Sequence, residues 1–347
     1  MRYHTEITDT DGYKLTMQQA ICQKYPRIQS RYLWINRDNR EFPDGFNKRL
    51  REILDSFRGI SLTKDEKDFL RERCWYLNPV YLDFLQGYRY DPTEVISEQN
   101  GTNLNLAIQG YSYRTVLWEV PIMATMSELY FEMTRQKPYA EPLRRAKNKQ
   151  KALELAAHDI FYSEFGTRRR FSHDIQDEAI EDLKLWGSGH MLGTSNPHFA
   201  RKHDLMLAST VAHEWYSLHA ALYGFKMANE IATRAWIDVY NGDLGTALPD
   251  TFTTEVFLRS FNTLFAKLHD GVRQDSGKPL EFLEKIISHY QKLRINPQSK
   301  MILFSDNLKS VEQIFEIHKA CIGRVTDRYG IGTWLSNDVG VKPLNMV

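Results

Sequence analysis

The strongest constraint on this chain is a strand–helix rhythm that runs from about residue 160 towards its end. HMLGTS (190–195), LGTALPDT (244–251), LHDGVRQDSG (268–277) and MILFSDN (301–307) read as short strands. Amphipathic helical stretches separate them. They are HDIQDEAIEDLKLWG (173–187), a long helix starting near Ala212, TTEVFLRSFNTLFAKL (253–268), PLEFLEKIISHYQKL (279–293) and SVEQIFEIHKA (310–320). Repeated strand–helix units imply a parallel sheet covered by helices. Polar and glycine-bearing residues cluster at the strand ends, where a barrel gathers its active site, so a barrel is favoured over an open sheet.

The first part of the chain has another texture. Helices are expected over Tyr13–Tyr25 and Lys64–Leu77, the latter with Thr63 as N-cap, and a strand over 104–109. The apolar segment TVLWEVPIMATMSELYFEMT (115–134) reads as a long helix bent near Pro121. The expected architecture is an irregular α/β barrel over 113–347 with an N-terminal α+β domain over 1–112. A chain of 347 residues, 42% hydrophobic, can bury cores of that size. Its formal net charge of +1 gives no field drawing it to nucleic acid or an acidic membrane. The polar N-terminus and the widely spaced Cys22, Cys74 and Cys321 suggest a cytoplasmic protein with reduced thiols and no signal peptide.

Five strand-end segments carry chemistry. In Glu164-Phe165-Gly166-Thr167-Arg168-Arg169-Arg170 a ring beside a guanidinium suits a flat aromatic anion, although a solvated basic turn has the same composition. Gly193-Thr194-Ser195-Asn196 is hydroxyl-rich and serves equally as a ligand contact or a helix cap. His213, in Ser209-Thr210-Val211-Ala212-His213-Glu214, falls on the first turn of a helix. The positive helix end there favours a neutral imidazole and a bound phosphate. Asp270-Gly271-Val272-Arg273-Gln274-Asp275-Ser276-Gly277 offers a carboxylate for sugar hydroxyls and a guanidinium for phosphate. Ser305-Asp306-Asn307 with Gly330-Ile331-Gly332-Thr333 suits backbone approach to a phosphate. P-loop, dinucleotide-fold, HExxH and GxSxG signatures are absent from the sequence.

Taken in order, these segments resemble nicotinate phosphoribosyltransferases over nearly the whole chain. Thr10-Asp11-Gly12-Tyr13-Lys14-Leu15-Thr16-Met17 is similar to that family's opening motif, and Leu117-Trp118-Glu119-Val120-Pro121 to its domain-linking helix. The resemblance implies a type II phosphoribosyltransferase barrel that joins nicotinate to phosphoribosyl pyrophosphate in NAD salvage. Mg²⁺ would assist departure of pyrophosphate, and ATP hydrolysis would be coupled through a phosphohistidine at His213. By the same resemblance Asp250 orients that imidazole, Phe165 and Arg168 hold the pyridine ring, and Tyr13 covers its other face from a second subunit of a head-to-tail dimer. Arg273 and Asp275 would take the phosphoribosyl group. Asp306, Gly330, Gly332 and Thr333 would complete the ribose and phosphate site.

The choice between acid and amide is placed on Ser195, where nicotinamide-using relatives carry an aspartate. A hydroxyl can donate to a carboxylate that an aspartate would repel. Ser209 and Lys278 depart from the family pattern, Lys278 adding positive charge beside the sugar site, and the family's C-terminal part is expected to be missing after Val347. Two other readings remain. One is a nicotinamide- or quinolinate-using relative, the latter supported by the extra Arg169 and Arg170. The other is a non-catalytic nucleotide-sensing barrel, against which an intact His213, Arg273, Asp275 and Asp306 speak.

Overall fold

A computed structural model describes residues 3–347. Its strands are β1 (Gln29–Leu33), β2 (Val95–Asn100), β3 (Asn103–Tyr111), β4 (Tyr162–Glu164), β5 (Met191–Thr194), β6 (Met206–Leu207), β7 (Thr246–Ala247), β8 (Gly271–Gln274), β9 (Met301–Phe304) and β10 (Thr326–Ile331). β1, β3 and β2 form an antiparallel sheet in that order. The other strands form one parallel sheet, ordered β6-β5-β4-β10-β9-β8-β7. The parallel sheet curls into an α/β half-barrel, because residues following β4, β5, β8, β9 and β10 all reach one cleft. Its two edges, β6 and β7, are joined in sequence by the helices His213–Tyr223 and Phe225–Tyr240. Gly224, at φ 78°, makes the turn between those helices, in a backbone region that other residues adopt only at a cost.

Local chemistry sets most element ends. Thr63 and Glu66 close a reciprocal capping box on the helix Lys64–Arg73. That helix stops four residues before Leu77, the end expected from sequence. The apolar segment 115–134 is not one bent helix. A short helix, Ser112–Thr115, ends ahead of a second, Glu119–Met133. Pro121 sits in the first turn of the second, where its missing N–H costs nothing. The stretch 253–268 also splits in two, because Asn262 Oδ1 accepts from the backbone of Leu264 and Phe265 and starts a new helix. VKPLNMV, expected to begin a strand, makes only an isolated bridge between Met346 and Asn36.

The core is dominated by aromatic and branched side chains, including the fully buried Trp118, Trp215 and Tyr216. Among the described residues, the fully buried side chains include two cations, Lys14 and Arg170. Burying a charge is costly unless it is paired and hydrogen-bonded, so both point to organised networks.

Candidate active site

A cleft of about 780 Å³ lies where the carboxyl ends of the parallel strands face β1 and β3 of the antiparallel sheet. That is within the usual range for small-ligand sites, about 300–1,000 Å³. Tyr13, Phe165, Arg168, Ser195, His213, Arg273, Asp275, Asp306, Gly330, Gly332 and Thr333 all line it. Asp250 does not, but its Oδ1 lies 3.0 Å from His213 Nε2. The topology explains the gathering. In a parallel sheet every strand ends on the same side, so segments about 170 residues apart in sequence share one rim.

One side of the cleft is an aromatic clamp. Phe165 follows β4, and Arg168 lies in the 3₁₀ turn Thr167–Arg169. The ring of Phe165 occupies space that a side chain at Gly330 would need, since a Cβ there would stand 2.5 Å from Phe165 Cε2. A glycine at 330 therefore admits the ring. Arg168 Nη1 donates to Glu119 Oε1 at 3.2 Å, and its Nε is 3.7 Å from Asp11 Oδ2. Ser195 Oγ donates to Asp11 Oδ1 at 2.6 Å. Its proton is engaged by a protein carboxylate, which a bound acid would have to displace. Burial raises the Asp11 carboxyl, against Arg168 and the Ser195 hydrogen bond. Tyr13 opens the helix Gly12–Lys24 and lines the cleft of its own chain.

The other side is polar. Arg273, in β8, donates through Nε to Ser305 Oγ (2.8 Å), through Nη1 to Thr210 Oγ1 (3.1 Å) and through Nη2 to Asp275 Oδ1 (2.7 Å). A guanidinium fixed through all three nitrogens is preorganised for an anion. Asp306 is pushed up by burial and by the nearby Asp275 and Asp250 carboxylates. His213 is the first residue of its helix, and no side chain among the described residues caps that end. With Nε2 on Asp250, its Nδ1 lies 3.7 Å from Asp275 Oδ2. Burial works against ionising Asp250, yet the hydrogen bonds from His213 and from Ser276 Oγ (2.5 Å) hold its carboxyl below the ordinary value. An ionised Asp250 fixes the proton on Nε2 and leaves the Nδ1 lone pair free.

Some expectations move. Arg170 does not reach the cleft. It is fully buried, bidentate to Asp9 (2.7 and 2.8 Å) and 2.8 Å from Glu128 Oε1. Lys278 is 80% exposed and paired with Glu281, away from the cleft, so it adds no charge beside the sugar site. Asp11, Lys14, Glu119 and Glu214 also line the cleft, although no role was read for them in the sequence. Lys14 had one signal: its helix is buried on nearly every side from Gly12 to Ile21, so a lysine within it must find an internal partner.

A curled parallel sheet that sets an aromatic–arginine clamp against an arginine–aspartate cluster defines a class of enzyme barrel suited to an aromatic acid and a sugar phosphate. Two family models match the chain. The nicotinate phosphoribosyltransferase N-terminal domain covers residues 8–127, and the nicotinate phosphoribosyltransferase family model covers 160–347. A nicotinate phosphoribosyltransferase of Desulforapulum autotrophicum is 48% identical over 341 residues, 98% of this chain and 87% of that protein. One of Chromohalobacter salexigens is 47% identical with the same coverage. The crystal structure of the Porphyromonas gingivalis nicotinate phosphoribosyltransferase superposes with a TM-score of 0.97 at 42% identity, covering 99% of this chain and 89% of the other. The chain belongs to the nicotinate phosphoribosyltransferase family. Among its described residues no helix is long and apolar enough to cross a membrane.

Proposed function

We propose that this protein transfers the phosphoribosyl group of phosphoribosyl pyrophosphate to nicotinate, giving nicotinate mononucleotide and pyrophosphate, with ATP hydrolysis coupled through His213. The observation that carries the reading is the single cleft in which the Tyr13–Phe165–Arg168 clamp faces Arg273, Asp275 and Asp306. In this reading the pyridine ring lies between Phe165 and Tyr13, and Arg168 pairs with its carboxylate. Preference for the acid over the amide then rests on the Arg168 charge and not on Ser195. Asp275 accepts from the ribose hydroxyls, and Arg273 and the backbone at Gly332 and Thr333 take phosphate oxygens. The bond from C1 to pyrophosphate breaks as the pyridine nitrogen lone pair forms the new one. His213 Nδ1 takes the terminal phosphoryl group of ATP, releasing ADP, and Asp250 stabilises the charged imidazole by its hydrogen bond to Nε2; water then cleaves the N–P bond, releasing phosphate and restoring the imidazole.

Magnesium fits the residues present. Asp275 and Asp306 share the cleft, and Asp306 is raised by burial first and then by the Asp275 and Asp250 carboxylates, a repulsion that a nearby cation would relieve. Among the described residues no three His, Cys, Asp or Glu side chains group to hold a metal alone. A magnesium ion commonly relies on one or two carboxylates and substrate phosphates. Bound with those phosphates, it would supply charge neutralisation to the departing pyrophosphate. A quinolinate-using reading keeps only Arg169, which lines the cleft and donates to the Met346 carbonyl, because Arg170 is committed to Asp9 and Glu128.

The test follows nicotinate mononucleotide and ADP together in a mixture of nicotinate, phosphoribosyl pyrophosphate, Mg²⁺ and ATP. Product with ADP is expected, and His213→Ala should abolish ADP while leaving slow product formation. Product without ADP in the wild type would remove the role of His213. Turnover of nicotinamide as fast as nicotinate would remove the acid preference.

A further inference from the structure

The fully buried Lys14 takes no part in the reading above, although it stands one residue after Tyr13. Its ammonium pairs with two carboxylates, Glu119 and Glu214, the latter at 2.7 Å. Each carboxylate stands at the start of a helix, where the helix dipole favours negative charge. Glu119 opens Glu119–Met133, and Glu214 is the second residue of His213–Tyr223. Glu119 also accepts from Arg168, so the ion pairs run Arg168–Glu119–Lys14–Glu214 from the ring clamp to the residue beside His213. The Lys14 ammonium is flanked by the rings of Tyr13 (5.1 Å) and Tyr32 (6.0 Å), and the Tyr32 hydroxyl bonds Glu214.

We propose that Lys14 is a positioning residue that ties the ring clamp to the His213 helix, so that nicotinate on Arg168 and the phosphoryl transfer at His213 are coupled through this ion-pair chain. The proposal rests on the roles of Arg168 and His213 given above. Two physical arguments support it. Desolvating an ammonium costs several kcal/mol, and apolar side chains of similar volume usually hold helices together as well or better. A buried lysine paired in this way is therefore weak evidence of a stabilising role. In addition, two carboxylates share one ammonium. Burial works to raise Glu119, yet Lys14 and then Arg168 hold it down at about 2, while burial and its neighbour push Glu214 up despite Lys14. A new anion on Arg168 weakens its hold on Glu119, and the ammonium then redistributes between its two partners. Glu214 moves with it, and His213 is the next residue along the backbone.

The test uses the double variant Lys14→Met/Glu214→Gln, which removes one charge of each sign and leaves the Arg168–Glu119 pair intact. KM for nicotinate is measured with and without ATP, together with kcat. In the wild type ATP should lower that KM. In the double variant the factor by which it does so should shrink by about tenfold, within the usual range of coupling between sites. KM without ATP should change by less than that factor, because Arg168 keeps its Glu119 partner. Lys14→Arg should restore much of the coupling. If the double variant does not fold, Glu214→Gln alone, with Lys14 still paired to Glu119, gives the same comparison. An unchanged factor in a folded variant overturns the proposal, and so does a loss of kcat alone, which is what a purely structural lysine predicts. Failure of the underlying reading looks different: the wild type would then show no ATP effect on KM, or His213→Ala would keep it. A wild-type effect that is lost in His213→Ala but retained in the double variant sinks the relay and leaves the reading standing.

Discussion

Arg168 and Arg170 stand two residues apart on the same turn after β4 and live in different worlds. Arg170 has no exposed side-chain surface and gives its nitrogens to Asp9, Glu128 and Gln176. Arg168 is about a third exposed, lines the cleft, and keeps donor capacity beyond Glu119. In the 3₁₀ turn Thr167–Arg169 side chains step around the axis by about 120° per residue, so Arg168 and Arg169 reach the cleft while Arg170 enters the seam with the N-terminal segment. The same residue type thus serves as an architectural counter-ion and as an anchor for a ligand. What separates them is whether internal carboxylates use up the guanidinium.

That contrast breaks most clearly under matched substitution. Arg170→Met leaves Asp9 buried without its partner, and removal of one member of a buried pair costs about 3–5 kcal/mol. Burial already raises Glu128 to about 7 against the pull of Arg170, so Glu128 escapes by taking a proton and the penalty falls on Asp9. Arg168→Met should cost little stability and should raise KM for nicotinate about a hundredfold, the value of one charge-assisted bidentate contact of roughly 3 kcal/mol. Chemical denaturation and steady-state kinetics on the two variants read this out. Equal losses of stability would show that the two arginines are not divided as described.

A smaller effect sharpens the ligand side. If the turn after β4 is a clamp, its ring must be held as firmly as its guanidinium. Gly330→Ala sets a methyl group 2.5 Å from Phe165 Cε2, and overpacking of this kind costs about 1–3 kcal/mol. The ring is the flexible party and should shift into the cleft. KM for nicotinate should rise about tenfold, with KM for phosphoribosyl pyrophosphate unchanged. A change in the second constant alone would return Gly330 to the phosphate role its sequence context suggests.

The sequence made the sheet legible because each strand end carries polar residues that a parallel barrel brings to one rim. Phe165, Arg168, His213 and Arg273 were readable for that reason, since each lies at or just past the end of a strand. The N-terminal contribution was less readable. Lys14 and Glu119 lie in helices, and their pairing depends on how two distant segments pack, which no local period encodes. At Gly330 a second demand was invisible: a glycine in a GxG run reads as a backbone approach, and the sequence does not show that the ring of Phe165, just past the neighbouring strand, also requires it. Arg170 was indistinguishable from its neighbours in a run of three, because solvation is a property of the fold and not of the run.

The weakest test bears on the architectural side of the contrast, where the N-terminal segment that carries Asp9 is pinned a second time. Glu6 Oε2 accepts from His198 Nδ1 at 2.7 Å and from Arg201 Nη2 at 2.9 Å. Those partners, His198 foremost, hold the Glu6 carboxyl at about 2, below its ordinary value of 4.5. A depressed carboxyl binds fewer protons in the folded state than in the unfolded state between those values. Its contribution is therefore fully present above about pH 4.5 and is lost as the pH falls through about 2. The pair is partly exposed and screened, so the contribution should stay within about 1 kcal/mol. Glu6→Gln should accordingly melt about 1–3 °C below the wild type at neutral pH. That gap should close on acidification, while Asp9, held well below its ordinary value by Arg170 despite full burial, keeps the segment docked. A gap that persists unchanged at pH 2 would mean that Glu6 acts through its shape and not through its charge. The architectural side of the comparison would then rest on Arg170 alone.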